Sequence, residues 1–296
     1  MTKEDSGLQV STSRQLPTTR ERVGLVVDGT NAAAATKTST VRLGTSIVPT
    51  YPHHPLVLAQ QALSLYDIAP DRLRLGIGPS HQAIIEGIYG LPQTTPLAHL
   101  REYVKVLRAA LWERKVDHHG HFFNVIVTLP RTTQIPVLIS RLGKKAFQLA
   151  GEIAGGALAW VCPVSYLLHT GIPALRTAAA ANGRSGPPPL VAYVSVALSE
   201  DHHSVMAAGH RVLDMYAKLP FYVKMFAEAG FPLTAGQTSI PDSLVDSLIV
   251  SGNEATVAAR FTELLAAGLD ELMVTLVPIK DAVDEQTRLM QLIGQL

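Results

Sequence analysis

The sequence predicts an α/β protein of the (β/α) barrel class, and three observations support this. Short β-branched segments alternate with amphipathic helical segments along almost the whole chain, which is typical of parallel strands covered by helices. The chain has 296 residues, a length that fits the roughly 250 residues of one barrel. Hydrophobic residues make up 47% of it and charged residues 17%, which is enough apolar material for one large core.

Seven segments have the length and composition of buried strands. They are Val23–Asp28, Val41–Val48, Leu73–Gly78, Val137–Ser140, Ala157–Cys162, Leu190–Leu198 and Glu271–Val277. A closed barrel needs about eight strands, so the count is one short. The shortage lies near the N-terminus, because residues 29–40 between the first two segments are too few for a helix, a strand and another helix.

Helical periodicity fills the intervals between these strands. The predicted helices are Pro55–Asp67, Pro96–Trp112, Lys144–Ala154, Ser165–Ala181, Asp201–Leu219, Asn253–Ala267 and a last one from Asp281 to the end. Two further intervals, Val116–Leu129 and Phe221–Leu248, break the alternation, and insertions of this kind usually shape the mouth of a barrel site. We predict a single domain that comprises residues 21–296. The polar segment before it, residues 1–20, has a composition that is compatible with disorder.

The charge of the chain limits the kinds of molecule it is expected to bind, and its cysteine content indicates a cell compartment. The formal net charge is +1 and no lysine-rich or arginine-rich block stands out, so we expect a small-molecule substrate rather than nucleic acid or a membrane surface. No apolar segment approaches the roughly 20 residues that span a bilayer. The single cysteine, Cys162, cannot form an internal disulfide, and this favours a cytoplasmic protein.

The most informative segment is residues 41–92, in which two predicted strands end in small residues, TSIVP and GIGPS. Small residues at strand ends expose backbone at the barrel mouth, where a flat ring can approach closely. His81 follows GIGPS and is expected over the same mouth, where an imidazole can hydrogen-bond a cofactor carbonyl or relay a proton. A capping or packing histidine explains the same spacing.

A second group of residues follows the predicted strand that ends at Ser140. Gly143, Lys144 and Lys145 open the next helix, so backbone N–H groups, the helix dipole and ammonium charge converge on one position. This combination predicts a phosphate site. An ordinary loop with solvated lysines is the alternative.

Two histidine-containing groups carry weaker signals. Asp117, His119 and His121 alternate on a predicted hairpin, a spacing compatible with metal ligation, but a β-turn packed on the barrel explains them at least as well, and we predict no metal site. His53 and His54 stand at a helix start, where a cofactor contact and a plain helix start fit equally.

At these residues the chain resembles the bacterial-luciferase-like family. Within that family it resembles the branch that uses the deazaflavin coenzyme F420 and includes N5,N10-methylenetetrahydromethanopterin reductase. The matching text is LGTSIVPTYPHHPLVLAQQAL, RLRLGIGPSHQAIIEGIYGLP, PLAHLREYVKVLRAAL, PVLISRLGKKAFQLAGEIAGGALAW and SGNEATVAARFTELLAAGLDEL. The resemblance covers about residues 40–277. It implies a (β/α)8 TIM-type barrel with the cofactor ring lying across the strand ends.

The resemblance also implies candidate site residues. In the family, a non-prolyl cis peptide occurs in the strand-end bulge that matches residues 45–47. The residues that would contact the ring are Thr45, Ser46, Ile47, Gly78, Pro79 and Ser80. The residues that would hold the cofactor phosphate are Ser140, Arg141, Leu142, Gly143 and Lys144. His81 stands where family members place a polar or acid/base residue, and we therefore assign it the catalytic role.

The N-terminal quarter departs from the family. Family members carry a full βαβα run before the LGT segment, whereas this sequence has about half of it, so we expect a barrel abbreviated in its N-terminal βα units. Val23–Asp28 is our match to the first strand, with Leu8–Ser13 as an alternative strand.

The predicted function is an F420-dependent reductase. It would transfer a hydride between reduced deazaflavin and an activated C=C, C=N or C=O bond of a small molecule, in secondary metabolism such as antibiotic biosynthesis. An FMN-dependent monooxygenase is one alternative, since either cofactor brings a phosphate. A non-catalytic barrel used for binding or assembly is another. The family resemblance further implies a homodimer.

Overall fold

The computed structural model describes residues 9–13, 23–24, 29–234 and 236–296. The strands in this part of the chain are β1 (Gln9–Ser13), β2 (Val23–Gly24), β3 (Leu43–Gly44), β4 (Val48–Pro49), β5 (Leu73–Gly78), β6 (Lys115–His119), β7 (Asn124–Thr128), β8 (Val137–Ser140), β9 (Gly156–Ala159), β10 (Leu190–Ala197), β11 (Ile249–Ser251) and β12 (Glu271–Leu276). The helices are α1 (Gly29–Lys37), α2 (Pro55–Ile68), α3 (Gln82–Gly87), α4 (Pro96–Arg108), α5 (Lys144–Ile153), α6 (Val164–Tyr166), α7 (Ile172–Ala181), α8 (His202–Leu213), α9 (Pro220–Glu228), α10 (Asp242–Leu248), α11 (Glu254–Ala266) and α12 (Ala282–Gln295).

Ten of these strands form one curled sheet. Hydrogen-bonded neighbours follow the order β2-β1-β12-β10-β9-β8-β5-β3, while β4 pairs with β5 and β11 pairs with β10. The pairs among β3 to β12 in this sheet are parallel, whereas β1 is antiparallel to both β12 and β2. Strand β2 at one end of this order contacts β3 at the other end. The sheet therefore curls round on itself, and the predicted α/β barrel class is confirmed.

The N-terminal part of the sheet contains an antiparallel strand beside β12. Gln9–Ser13, close to the alternative strand proposed from the sequence, runs antiparallel to β12, with Val10 opposite Val274. Part of the predicted leader thus belongs to the sheet. Only Val23 and Gly24 of the predicted first strand are in a described strand. Residues 1–8, 14–22 and 25–28 lie outside the described part.

Two other strand assignments need correction. The predicted strand Val41–Val48 is divided into β3 and β4, because residues 45–47 form a bulge between them. Strand β11 was missed, since it has only three residues and directly follows both helix α10 and the segment that we interpreted as an insertion. That insertion consists largely of α9 and α10.

The helices cover the outer face of the sheet because each has one apolar side. In α4, Leu100, Val104 and Leu107 are buried in the core, while Arg101 and Lys105 on the opposite side are exposed. This stripe was the clearest helical pattern of the sequence. Of the helices in the described ranges, none has both the length and the apolar character needed to cross a bilayer.

The inner face of the sheet follows the alternation of side chains along each strand. Leu138, Leu158, Val191 and Met273, from four different strands, pack into a small inner cluster. Counting along each strand from this cluster toward the carboxyl ends gives the next inward positions. They are Gly78, Ser140, Trp160, Tyr193 and Thr275. The inner surface at the strand ends is therefore made mostly of small or hydroxyl-bearing residues.

At the opposite end of the inner face, an ion pair joins β5 to β12. Two guanidinium nitrogens of Arg74 donate to the Glu271 carboxylate, with N–O distances of 2.9 and 2.5 Å. The Glu271 side chain is 6% exposed and that of Arg74 29% exposed. Bidentate pairs of this kind fix geometry as well as charge.

We expect Arg74→Met to lower the free energy of unfolding by about 3 kcal/mol, because it removes both of these bonds from a buried carboxylate. Arg101→Met breaks a more exposed pair with Glu152 and should cost less than about 1 kcal/mol. Urea denaturation measures both variants. Equal losses in the two would contradict the role assigned to the inner pair.

Candidate active site

Three strand ends meet at Gly78, the last residue of β5. A Cβ atom on Gly78 would lie 2.5 Å from the carbonyl oxygen of Ser140 and 3.0 Å from Cδ1 of Ile47. The bulge after β3, the end of β5 and the end of β8 are thus in direct contact. The structure brings together the three loops that the sequence singled out, and glycine is required at their junction.

The bulge between β3 and β4 is fastened to β5 by Thr45. The Thr45 hydroxyl donates to the carbonyl oxygen of Gly76 and accepts from the N–H of Gly76, both at 2.9 Å. The Ser46 hydroxyl contacts the sulfur of Met273 on β12 at 3.0 Å. The peptide bond between Ser46 and Ile47 is cis, as the family resemblance implies.

His81 follows β5 and precedes α3. Its side chain makes no capping hydrogen bond to that helix, so the capping interpretation does not hold. The ring lies 5.7 Å from that of Tyr222, and burial lowers the pKa of the imidazole below 6.5. Just before it, Ser80 has a φ of 59°, and the Gln93 side chain donates to the Pro79 carbonyl at 2.7 Å. The imidazole is therefore half-buried beside the Tyr222 ring, in surroundings that favour its neutral form.

The loop after β8 has the form expected of an anion site. Gly143 precedes α5 with a φ of 98°, and no side chain caps the first N–H groups of this helix. Leu142 is buried, whereas Lys144 is exposed to solvent. Arg141 is half-buried, and burial lowers the pKa of its guanidinium. Free helical N–H groups, an arginine and a lysine are the groups that bind phosphate.

The sequence missed an aromatic wall that faces His81. Trp160, at the end of β9, packs on Tyr193 with ring centroids 4.3 Å apart. Its indole N–H donates to the Tyr216 hydroxyl at 2.8 Å, and its carbonyl accepts from the Tyr222 hydroxyl at 3.2 Å. Tyr222 belongs to α9 in the second predicted insertion. The aromatic residues of the segment PFYVKMF were visible in the sequence, but the sequence does not show that this segment is a helix packed on Trp160.

A polar cluster joins the end of α8, which precedes this insertion, to the last part of the insertion. The two ring nitrogens of His210 contact Asp214 at 3.0 Å and Asp242 at 2.9 Å. The Ser239 hydroxyl donates to Asp214 at 2.9 Å. The hydrogen bonds with Asp214 and then Asp242 raise the pKa of His210 above 6.5, although burial opposes them. Protonated His210 is therefore the form that bridges the two carboxylates.

The other histidines singled out in the sequence lie on the hairpin and at the start of α2. His119 and Asp117 lie 3.3 Å apart on the exposed hairpin, and within the described ranges no three side chains of metal-ligating type are grouped to hold an ion. The neighbouring His118 instead contacts Glu102 of α4 at 3.0 Å. His54 Nδ1 accepts from the N–H of Leu56 at 3.2 Å and so caps α2, which favours the plain helix start.

Two cavities lie away from these loops. One, of about 280 Å³, is lined by residues of β10, β11 and α11. The other, of about 710 Å³, lies at the carboxyl ends of β10 and β11 and at the start of α12, with Lys280 and Arg288 among its lining residues. Acidic residues outnumber these two cations in its lining. Neither cavity is lined by residues 45–47, 78–81 or 140–144.

Replacement of Gly78 by alanine tests the junction of the three loops. We expect a loss of about 2 kcal/mol in the free energy of unfolding, because the new Cβ forces backbone apart. Gly294→Ala is the control, since nothing lies within 4 Å of the added carbon on α12, and helix propensity predicts a slight gain. Chemical denaturation measures the free energy of unfolding of both variants. An unchanged value in Gly78→Ala would show that the three loops are not in close contact at this residue.

The His210 cluster predicts a pH dependence of stability. A raised pKa in the folded state means that the contribution of His210 is complete below about pH 6.5 and disappears as the pH rises through the raised value. His210→Gln should therefore destabilise the protein more at pH 6 than at pH 9. His203→Gln, on the exposed side of the same helix, is the control. A loss that is independent of pH would exclude the charged bridge.

Comparison with known sequences identifies the family. The profile described as luciferase-like monooxygenase matches residues 30–271. An uncharacterised protein of Mycobacterium bovis is 28% identical over 214 residues, which cover 67% of this chain and 63% of that protein. The chain thus spans slightly less than two thirds of that relative's length.

Two further relatives have the names of enzymes. An F420-dependent glucose-6-phosphate dehydrogenase of Kineococcus radiotolerans is 33% identical over 162 residues, 51% of this chain and 47% of that protein. A 5,10-methylenetetrahydromethanopterin reductase of Methanolobus tindarius is 24% identical over 269 residues, covering 83% of this chain and 81% of that protein. Both names belong to the branch that the residues indicated.

Solved structures show the same fold at low sequence identity. An F420-dependent secondary alcohol dehydrogenase in complex with an F420–acetone adduct superimposes with a TM-score of 0.73 at 17% identity, covering 88% of this chain and 81% of that one. The oxygenating constituent of 3,6-diketocamphane monooxygenase from Pseudomonas putida, in complex with FMN, gives 0.65 at 16% identity, with coverages of 89% and 80%. On the strength of the profile match and of this shared barrel, the chain belongs to the luciferase-like monooxygenase family.

Proposed function

We propose that this protein is an F420-dependent reductase of a small molecule. The observation that carries the proposal is the junction at Gly78, where the Ser140 backbone and the Ile47 side chain leave no room for a Cβ atom and so hold the three strand ends together. A surface of bare backbone at strand ends accepts a planar ring. When bound there, a reduced deazaflavin supplies a hydride.

The residues present fit a cofactor with a planar ring and a phosphate. Ile47, Gly78, Pro79 and Ser80 would contact the ring, with Thr45 and Ser46 holding the bulge in place. The phosphate would be held by the first N–H groups of α5 and by the loop that precedes them. That loop consists of Ser140, Arg141, Leu142, Gly143 and Lys144.

His81 is our candidate for the catalytic residue. Because burial lowers its pKa, the imidazole is largely neutral at pH 7 and can donate a hydrogen bond to the acceptor atom that gains negative charge. Polarisation of this type by a positioned side chain commonly contributes factors of about 10² to 10⁴ in rate. The wall made by Trp160, Tyr193 and Tyr222 lies opposite and would shield the reacting groups from water.

The acceptor class follows from the chemistry of hydride delivery. A carbon that accepts a hydride must be electron-poor, as in an activated C=C, C=N or C=O bond. Aromatic side chains and a neutral imidazole suit a neutral acceptor better than a charged one. Reduction of such bonds in secondary metabolism is the setting we propose.

One observation favours a second candidate, an FMN-dependent monooxygenase. The diketocamphane enzyme with the same fold holds FMN, and a phosphate-binding loop suits either cofactor. Formation of an oxygenated product from a ketone, reduced FMN and O2 would support this candidate. Oxidation of reduced FMN to give only hydrogen peroxide, with the ketone unchanged, would oppose it.

Titration with F420, followed by fluorescence, tests the proposal. We expect micromolar or tighter binding and, with reduced F420 and an enone or cyclic imine, recovery of absorbance as the cofactor is oxidised. His81→Ala should lower kcat by about 10² while the dissociation constant of F420 changes little. The absence of F420 binding would overturn the proposal, and an unchanged kcat in His81→Ala would remove His81 from the catalytic role.

A further inference from the structure

Arg141 lies in an environment that is unfavourable for a cation by itself. It is half-buried, and burial lowers the pKa of its guanidinium, which the nearby Tyr51 partly offsets. Among the described residues, no carboxylate forms an ion pair with Arg141, and its guanidinium is not a donor in any hydrogen bond. Most buried arginines are paired. The environment of Arg141 therefore points to an anion that comes from outside the chain.

The group that contacts Arg141 is an aromatic ring. The guanidinium carbon lies 5.5 Å from the centroid of Phe221, within the range of cation–π attraction. The same ring also contacts the phosphate loop, since its Cζ lies 3.1 Å from where a Cβ on Gly143 would be. Phe221 thus packs against residues on both sides of Leu142. A π face attracts the guanidinium without neutralising its charge.

Phe221 is itself held by the helix that carries it. It is in the first turn of α9, next to Tyr222, whose hydroxyl donates to the Trp160 carbonyl. Met225 and Phe226 on the following turn are buried in the core. The position of the Phe221 ring is therefore fixed by the barrel rather than by the loop it contacts.

We infer that Phe221 is a positioning residue for anion binding, in that its ring takes the place of a counter-ion and holds Arg141 charged and oriented beside the first turn of α5. The ligand class is a phosphate monoester or diester, for which a planar guanidinium is well suited. The inference rests on the proposed function only where it identifies this phosphate with that of the cofactor. Because Phe221 belongs to α9, this helix of the insertion then forms part of the phosphate site.

A comparison of two ligands tests the inference. One is F420, and the other is its deazariboflavin part alone, which keeps the ring and the ribityl chain but lacks the phosphate and the lactyl-glutamate tail attached to it. The measured quantity is the ratio of their dissociation constants. A general loss of structure weakens the binding of both ligands equally and therefore leaves this ratio unchanged. We expect wild type to favour F420. Phe221→Leu should reduce this preference about fivefold, and Arg141→Leu should reduce it further.

Three matched variants refine the test. Phe221→Tyr keeps a π face and should retain the preference for F420. Phe231→Leu replaces another half-buried phenylalanine of the same insertion and should leave the preference unchanged. Arg141→Lys keeps the charge but loses the planar group, so we expect a partial loss. An unchanged preference in Phe221→Leu would overturn the inference, as would an equal loss in Phe231→Leu.

Inorganic phosphate separates this inference from the proposed function. If neither deazaflavin binds wild type, the proposed function fails, but phosphate can still be titrated while the Arg141 side-chain N–H signal is followed by NMR. We expect the signal to shift at lower phosphate concentration in wild type and Phe221→Tyr than in Phe221→Leu. The same dissociation constant in wild type and Phe221→Leu, or no shift in wild type, would contradict the inference.

Discussion

The close approach of backbone at β5 is the constraint on which the proposed site depends. Cβ atoms at Gly76 and Gly78 would lie 2.2 Å from the Thr45 oxygen and 2.5 Å from the Ser140 oxygen, distances that only glycine permits. These two residues occupy successive inward positions of one strand. They allow the bulge after β3 and the loop after β8 to close against β5. The loops that would hold a ring and a phosphate are thereby held side by side.

The sequence predicted those parts of the fold that depend on local pattern. Helices α2, α4 and α5 begin at the residues expected from their prolines, lysines and apolar stripes, because periodicity and helix-start chemistry are local properties. The small residues at the ends of β5 and β8 likewise indicated that backbone is exposed there. Resemblance added the cis peptide at residues 46–47, which spacing alone does not reveal.

Other features depend on contacts between distant parts of the chain, which local pattern does not reveal. Strand β11 has only three residues. A strand at Leu8–Ser13 could be proposed only as an alternative, because its antiparallel pairing with β12 is a long-range contact. The pairing of Glu102 with His118 follows from how that hairpin lies on α4. Likewise, nothing in the text SRLGKK shows that the partner of Arg141 is an aromatic ring 80 residues further along the sequence.

A crystal structure of the protein with bound F420 tests the central claim most directly. The account predicts that the ring lies against Ile47 and Gly78 with its reactive face toward His81. It also predicts that the phosphate lies within hydrogen-bond distance of Arg141 and the first N–H groups of α5. A ring bound in the cavity of about 710 Å³ beside Lys280 and Arg288, with the loops at Gly78 unoccupied, would contradict it.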